Sequence, residues 1–441
     1  MTMLDLGRPR RLAHTAQWLS VSVLATLLAG CAAYLPKPAT PLPEVASEPG
    51  PSGWETPPLV SATRILPAPL LTGVHHALED LVVNDGASHL FVISSEFGSF
   101  EAAGLAKLRI RLNEIRGIAT IREARATAVY AEAARQEALQ PLAGLKHHAT
   151  QPVDALKGIG GGIMEYLSIP SPALRGEWTS SRDDDMPEAL IGFADQKRVI
   201  AYDLHVDPYS TNPVLQEELN SLAWVAFAGQ AGSALVPPGR RAQIAPDPPL
   251  WTSRLDEQVR NASPGDLREK NRMQLEAFGA DARDIHEFFL NPYYSVTQNT
   301  RITAALEDMA GVPDRGPFVA VAADAESEEL ALFYEQVAEM MRAYYMAFGG
   351  VQRLVPFPRM AGLLTQDDEL IVMLPVDHVF WTAATAGALY AMTMHARLGA
   401  PGAAPILWLS GRISPLARAE VEALGWTVQE EVRDRLGPGL R

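Results

Sequence analysis

Cys31 is the single cysteine among 441 residues. A chain with one thiol closes no disulfide of its own and builds no cysteine-ligated metal cluster, so packing and hydrogen bonds must hold its fold. The apolar fraction of 47% is enough for one large core or two smaller ones. The formal net charge of −15 at pH 7 makes the chain a poor binder of polyanions, and nucleic acid is not an expected partner.

The position of Cys31 carries a second message. Arg8, Arg10 and Arg11 form a basic flank, followed by an apolar run from Trp18 to Ala29. That run is about a dozen residues, whereas a helix crossing a bilayer needs about 20. It has the length of a secretory apolar core. Ala29 and Gly30 are small enough for the backbone to enter a tight protease site. With its flank and core, Leu28-Ala29-Gly30-Cys31 resembles the lipobox of bacterial lipoprotein leaders, the substrates of lipoprotein signal peptidase. The resemblance covers the first 31 residues only. It implies a thioether-linked diacylglycerol on Cys31, cleavage between Gly30 and Cys31, and acylation of the new amine. More than one acyl chain gives stable anchoring, each buried CH₂ contributing about 0.8 kcal/mol. Ala32 and Ala33 stand where the family carries aspartate for inner-membrane retention. The implied location is therefore the outer membrane, facing the periplasm. The competing reading is a buried cysteine in an N-terminal anchor helix. Loss of the leader removes three arginines and one aspartate, taking the net charge from −15 to −17. Such a body should not lie on an anionic leaflet through charge.

The expected organisation is a signal peptide over 1–30, a lipidated cysteine and Pro-rich tether over 31–70, a mostly helical body over 71–350 and a small α/β region over 351–441. Ten prolines between 32 and 70 favour an extended chain; at about 3.1 Å per residue its contour approaches roughly 120 Å. Residues 87–101 read as one or two short strands. Leu105, Leu108, Leu112 and Ile115 recur at helical spacing, and this helix or helix pair is expected to run toward Leu139 and Pro141. Further helices are expected over 187–204, from Pro213 behind an Asn212 cap, from Ser263-Pro264 toward Gly279, over 281–290 and over 325–347. The polar Gln366–Glu369 segment between two apolar runs predicts a hairpin. A helix over 382–398, a strand over 406–410, a helix over 414–424 and a strand over 426–430 complete the pattern. The fold class is mainly α (α+β): a helical body with a small mixed sheet near the C-terminus. The 16-residue apolar run from Val379 to Met394 is short of a membrane span and reads as a buried helix.

Sharp catalytic signatures are missing: there is no Gly-x-Ser-x-Gly elbow, His-Glu-x-x-His helix, Walker loop or cysteine cluster. The glycines at 158 and 160–162 lack the Lys-Ser or Lys-Thr of a phosphate loop and read as a hinge or close helix contact. Asp203-x-His205-x-Asp207 would share one face on a strand and seat a metal or orient a base; at a helix end that face is broken. His75 and His76 with Glu79 and Asp80 form i,i+4 pairs that seat a metal on a helix, with His147-His148 as a distant complement. Asp377-His378 follows a strand, His286-Glu287 lacks a matching partner, and the N–H groups at Ser414 offer an anion site or a plain cap. The segments 207–210 and 291–295 echo one another, Asp-Pro-Tyr-Ser against Asn-Pro-Tyr-Tyr-Ser, and shared turn chemistry explains this more simply than duplication. The leading functional expectation is a non-catalytic envelope lipoprotein, without cofactor, that binds an envelope protein or polymer. A periplasmic hydrolase, metal-assisted or not, is the alternative. A lipid-handling protein, suggested by apolar helices near 222–236 and 379–394, is a third reading.

Overall fold

Period-two burial along His89–Ser95 sets the first layer: Phe91 and Ile93 point inward while Leu90 and Ser94 face out. The computed structural model describes residues 53–127, 162–168, 191–228 and 253–436. The leader with Gly30 and Cys31, the tether to residue 52, the expected helix end near Pro141, His147-His148 and the glycines at 158–161 lie outside the described residues.

The N-terminal sheet comprises β1 (Val60–Ser61), β2 (His76–Leu78), β3 (Leu81–Asn84), β4 (His89–Ser95) and β5 (Gly98–Ala103), with single-turn helices α1 (Ala62–Ile65) and α2 (Ala68–Leu71) after β1. All its pairings are antiparallel: β4 takes β2 and β3 on one side and β5 on the other, and β1 extends the sheet through β3. The inner face packs on α3 (Leu105–Arg125), which buries Leu108, Leu112 and Ile115. The first helix of that stretch ends at Arg125. Strands therefore occur on both sides of the helical region, not only near the C-terminus. The short β1–β3 segments escape a pattern search because each spans two to four residues.

Residues 53–70, expected in the tether, are part of the folded body. Trp54 lies 6.2 Å from Trp381. The Glu55 backbone N–H donates to the Trp381 carbonyl at 2.8 Å. The Glu55 carboxylate, 6% exposed, accepts from the Trp381 N–H and the Ser414 hydroxyl, both at 2.5 Å. Proline restricts the backbone but leaves such side-chain contacts open.

The helical region contains α4 (Gly162–Ser168), α5 (Ile191–Asp203), α6 (Pro213–Ala228), α7 (Ser253–Asn261), α8 (Pro264–Ala277), α9 (Ala282–Leu290), α10 (Val296–Asp308), α11 (Pro317–Ala323) and α12 (Glu328–Phe348). Local chemistry fixes the starts. Asn212 Oδ1 accepts from Val214 and Leu215 N–H ahead of Pro213, Ser263 and Asp266 form a reciprocal box, and Ser295 and Gln298 form another. Helices α5 and α6 pack with Ile118 and Ile121 in one apolar cluster. Helix α12 is central to the largest, burying Phe333, Val337, Met340, Met341 and Tyr344.

The C-terminal sheet has the order β12-β10-β8-β7-β6. Its members are β6 (Val351–Phe357), β7 (Met360–Thr365), β8 (Glu369–Leu374), β10 (Ala404–Leu409) and β12 (Thr427–Gln429); β9 (His378–Val379) and β11 (Arg412–Ile413) pair beside it. Strands β6, β7 and β8 form an antiparallel meander, while β8, β10 and β12 are parallel. Helices α13 (Ala383–Gly399) and α14 (Pro415–Ala423) supply the crossovers, and α15 (Arg433–Leu436) follows. The apolar run at 379–394 thus becomes a crossover helix, and no helix among the described residues is long and apolar enough to cross a membrane.

Ligands of open α/β sheets bind beyond the carboxyl ends of parallel strands. Here the turn between β3 and β4 occupies that position: Asp377 and His378 N–H donate to the Ala87 carbonyl, each at 3.0 Å, and Phe380 N–H donates to Gly86 at 2.9 Å. Gly411 closes the same edge. A Cβ there would lie 2.0 Å from the Asp377 carbonyl oxygen. Gly411→Ala is accordingly expected to lower unfolding free energy by about 2 kcal/mol through overpacking, measured by urea denaturation. Wild-type stability would show that the two backbones separate freely.

Candidate functional site

The cleft in question lies between α3, α12, the turn after α5 and the start of α10, with about 690 Å³ of empty volume including its open mouth. Four carboxylates line it: Glu114, Asp207, Glu328 and Glu335. Each is tied to protein donors. Glu114 accepts from Arg111 at 2.7 Å, from Asn212 at 2.9 Å and from Ser210. Glu328 accepts from Lys107 at 3.1 Å and Thr211 at 2.7 Å, with Arg111 at 3.7 Å. Glu335 pairs with Arg301 at 2.5 Å. Asp207 accepts from Thr297 at 2.6 Å, Ser295 at 2.9 Å and the Tyr209 N–H at 2.9 Å.

Burial and partners set the charge states. Burial works against ionised Glu114, but Arg111 and Ser210 outweigh it and hold the carboxyl below its ordinary range. Glu328 follows the same pattern, with Lys107 and Thr211 overcoming burial. At Asp207 burial wins over Thr297, Tyr209 and Arg301, and the carboxyl is raised.

The two echoing turns meet at this cleft. Asp207 and Asn291 each accept the N–H two residues on, at 2.9 Å in both cases, so the repeated Pro-Tyr segments are Asx turns. Ser295 and Thr297, from the second turn and α10, then grip Asp207 of the first. Neither residue is singled out by sequence patterns; Ser295 stands out only as the end of the echoing turn, and in the structure it caps α10 with Gln298.

The structure does not gather Asp203, His205 and Asp207 on one face. Asp203 ends α5. His205 has φ 52°, with its N–H bonded to the Tyr202 carbonyl and the Val206 N–H to Ala201, a Schellman ending with histidine in the usual glycine position. Only His205 and Asp207 reach the cleft. The second candidate set also fails as a helical site, because His76 begins β2 instead of lying on a helix. His75 bonds Glu96 at 2.6 Å, Asp80 accepts from Ser61 at 2.5 Å, and Glu79 is exposed. Burial, reinforced by Arg116, lowers the basicity of His76. Among the described residues no group of three or more His, Cys, Asp or Glu is placed to hold a metal ion.

None of the remaining candidates lines this cleft. Asp377 accepts the N–H of His89 at 2.9 Å and of Leu105 at 3.1 Å, joining β4 and the start of α3 to the C-terminal sheet. His378 is buried and stacked on Phe380 at 4.3 Å. Ser414 accepts from Ala417 as the α14 cap and donates to Glu55. His286 is exposed, and Glu287 pairs with Arg283 at 2.7 Å. Gly162 makes a close approach, since a Cβ there would lie 2.2 Å from Asp85. The apolar residues of α6 and α13 belong to different clusters. Compared with known proteins, the chain matches no family model, no curated protein and no solved structure.

Proposed function

We propose that the chain is a lipid-anchored protein of the bacterial cell envelope, facing the periplasm from the outer membrane, whose body binds an envelope protein or polymer without transforming it. The anchor rests on the lipobox resemblance of Leu28-Ala29-Gly30-Cys31. The binding role rests on one observation: in the polar cleft, Glu114, Asp207, Glu328 and Glu335 are all engaged by protein donors. A general base needs a lone pair free to face its substrate and a pKa near the working pH. Glu114 and Glu328 are held the other way, as low-pKa anions inside hydrogen-bond cages.

Fatty-acid labelling of the wild type against Cys31→Ser tests the anchor. Label on the wild type alone, with a mature chain starting at Cys31, is the expected outcome. An unmodified thiol or an intact Met1 terminus defeats it. Incubation of the lipidated protein with purified cell-wall sacculi and outer-membrane vesicles tests the role of the body. Retention without release of soluble fragments is expected; release that is lost in Asp207→Asn would establish the hydrolase reading instead.

A further inference from the structure

We propose that the outer face of the N-terminal sheet docks on the surface of the bilayer that holds the lipid anchor. The inference rests on the reading of Cys31 as that anchor and says which side of the body meets the lipid. Strand register builds the face. Leu59 precedes β1 and stands opposite Val83 when the antiparallel pairing of Val60 with Val82 is continued; Val83 pairs with Leu90, and Leu90 with Ala103. One apolar row thus crosses β3, β4 and β5 and reaches the residue ahead of β1. Leu81, two residues before Val83, lies on the same side. Leu59, Leu81, Val83 and Leu90 are exposed, while Val60, Val82, Phe91 and Ala102 between them are buried in the apolar cluster with α3. An antiparallel sheet with one buried side normally turns polar residues outward. A contiguous exposed apolar patch in their place marks an interaction site.

Chemistry selects the occupant. The other outward positions of this sheet are Ser61, Ala77, Val92, Ser94, Ser99 and Glu101. Protein interfaces are anchored by Tyr, Trp and Arg, and Leu and Val are under-represented among their energetic centres. None of the three anchors stands on this face. Aliphatic side chains make no directional contact and gain free energy only by leaving water. A lipid surface satisfies that demand, taking in an apolar face about 5–10 Å deep. Glu101 is the one charged side chain among these positions, so a zwitterionic surface suits the face better than an anionic one.

Chain length brings the two together. Residues 32–52, twenty-one in all, join Cys31 to Gly53, and they span at most about 75 Å. Leu59 follows six residues after Gly53. The face is therefore held close to the leaflet that carries the anchor. Tethering makes the second contact intramolecular, with an effective concentration on the order of millimolar for a short linker, so a patch too weak to bind alone becomes occupied.

Quenching by lipid nitroxides tests the docking. Full-length Leu81→Cys, isolated with acyl label on Cys31, receives a fluorescent dye on the new thiol and is reconstituted in vesicles of phosphatidylethanolamine and phosphatidylcholine bearing acyl-chain nitroxides. Met273→Cys on α8 is the control, with Met273 53% exposed against 60% for Leu81. Several-fold stronger quenching at position 81 than at 273 is expected. Adding Val83→Thr and Leu90→Thr keeps strand-forming residues, leaves the buried side of the sheet untouched and should bring the quenching at 81 down to the control level. Equal quenching at the two sites overturns the proposal. Quenching that grows when phosphatidylglycerol replaces phosphatidylcholine also overturns it, by assigning the attraction to charge. Disulfide linkage of two undyed Leu81→Cys chains, without quenching, assigns the face to a second copy. Acyl label on Cys31 without quenching at 81 defeats the docking and leaves the anchor standing; a chain without acyl label defeats the anchor and the docking with it.

Discussion

Glu335→Ala is expected to lower the unfolding free energy by about 3–5 kcal/mol. Glu335 is 1% exposed and Arg301 6% exposed, and they meet at 2.5 Å between α12 and α10. Truncating the acid removes the carboxylate that meets this buried guanidinium directly. The removal of one buried partner is far more damaging than the net contribution of the pair, because desolvation of the survivor is no longer offset. The double variant Arg301→Met/Glu335→Leu should therefore recover most of the loss. Urea denaturation of wild type, both singles and the double gives the coupling directly. A single variant within 1 kcal/mol of wild type would mean that water reaches Arg301 and that the helices are not clasped at this point.

Acid is expected to weaken the fold by about 3 kcal/mol through His378 alone between pH 7 and pH 4. The side chain is 8% exposed, and burial, reinforced by His89 and Arg412, pushes its pKa down to about 4 from an ordinary 6.5. The sign follows from linkage. The folded protein holds this ring neutral while the unfolded chain protonates it. Its contribution is complete above pH 6.5 and is lost as the pH falls toward the folded value. His89, also depressed by burial against the opposing pull of Asp377, acts in the same direction. Urea unfolding of wild type and His378→Leu at several pH values isolates the effect, since carboxylate titrations cancel in the difference. Parallel pH profiles would show that the ring reaches solvent.

Local chemistry was readable in the sequence where a cap or turn announces itself. Asn212-Pro213, Ser263-Pro264 and Ser414-Pro415 begin helices as their residues demand, and Gln366–Glu369 turns the β7–β8 hairpin. Helix α10 was not readable by apolar spacing, because it buries Thr297, Asn299, Thr300, Arg301 and Thr303. It tolerates them by internal bonding: Thr300 and Thr303 donate back to Val296 and Asn299, and Asn271 donates to Thr300. Ile302, Ala305 and Leu306 alone take this helix into the main apolar cluster, and so short a stripe leaves only a weak hydrophobic periodicity. The cleft was legible only at Asp207 and His205. Its other half comes from contacts such as Lys107 to Glu328, 221 residues apart, which no local pattern encodes. Asp377-His378 shows the reverse case, where the expected position past a strand end is correct but the β3–β4 turn has filled the crevice.

The Glu55 clamp has a mechanical consequence. Among the described residues, tension on the amino-terminal side of the chain meets Trp54 and Glu55 before it reaches β1. Those contacts end on Trp381 and Ser414, at the heads of α13 and α14. A pulling force is thus carried by the segment joining β9 to α13 and by the α14 cap, and the small amino-terminal sheet is relieved of load until that grip ruptures.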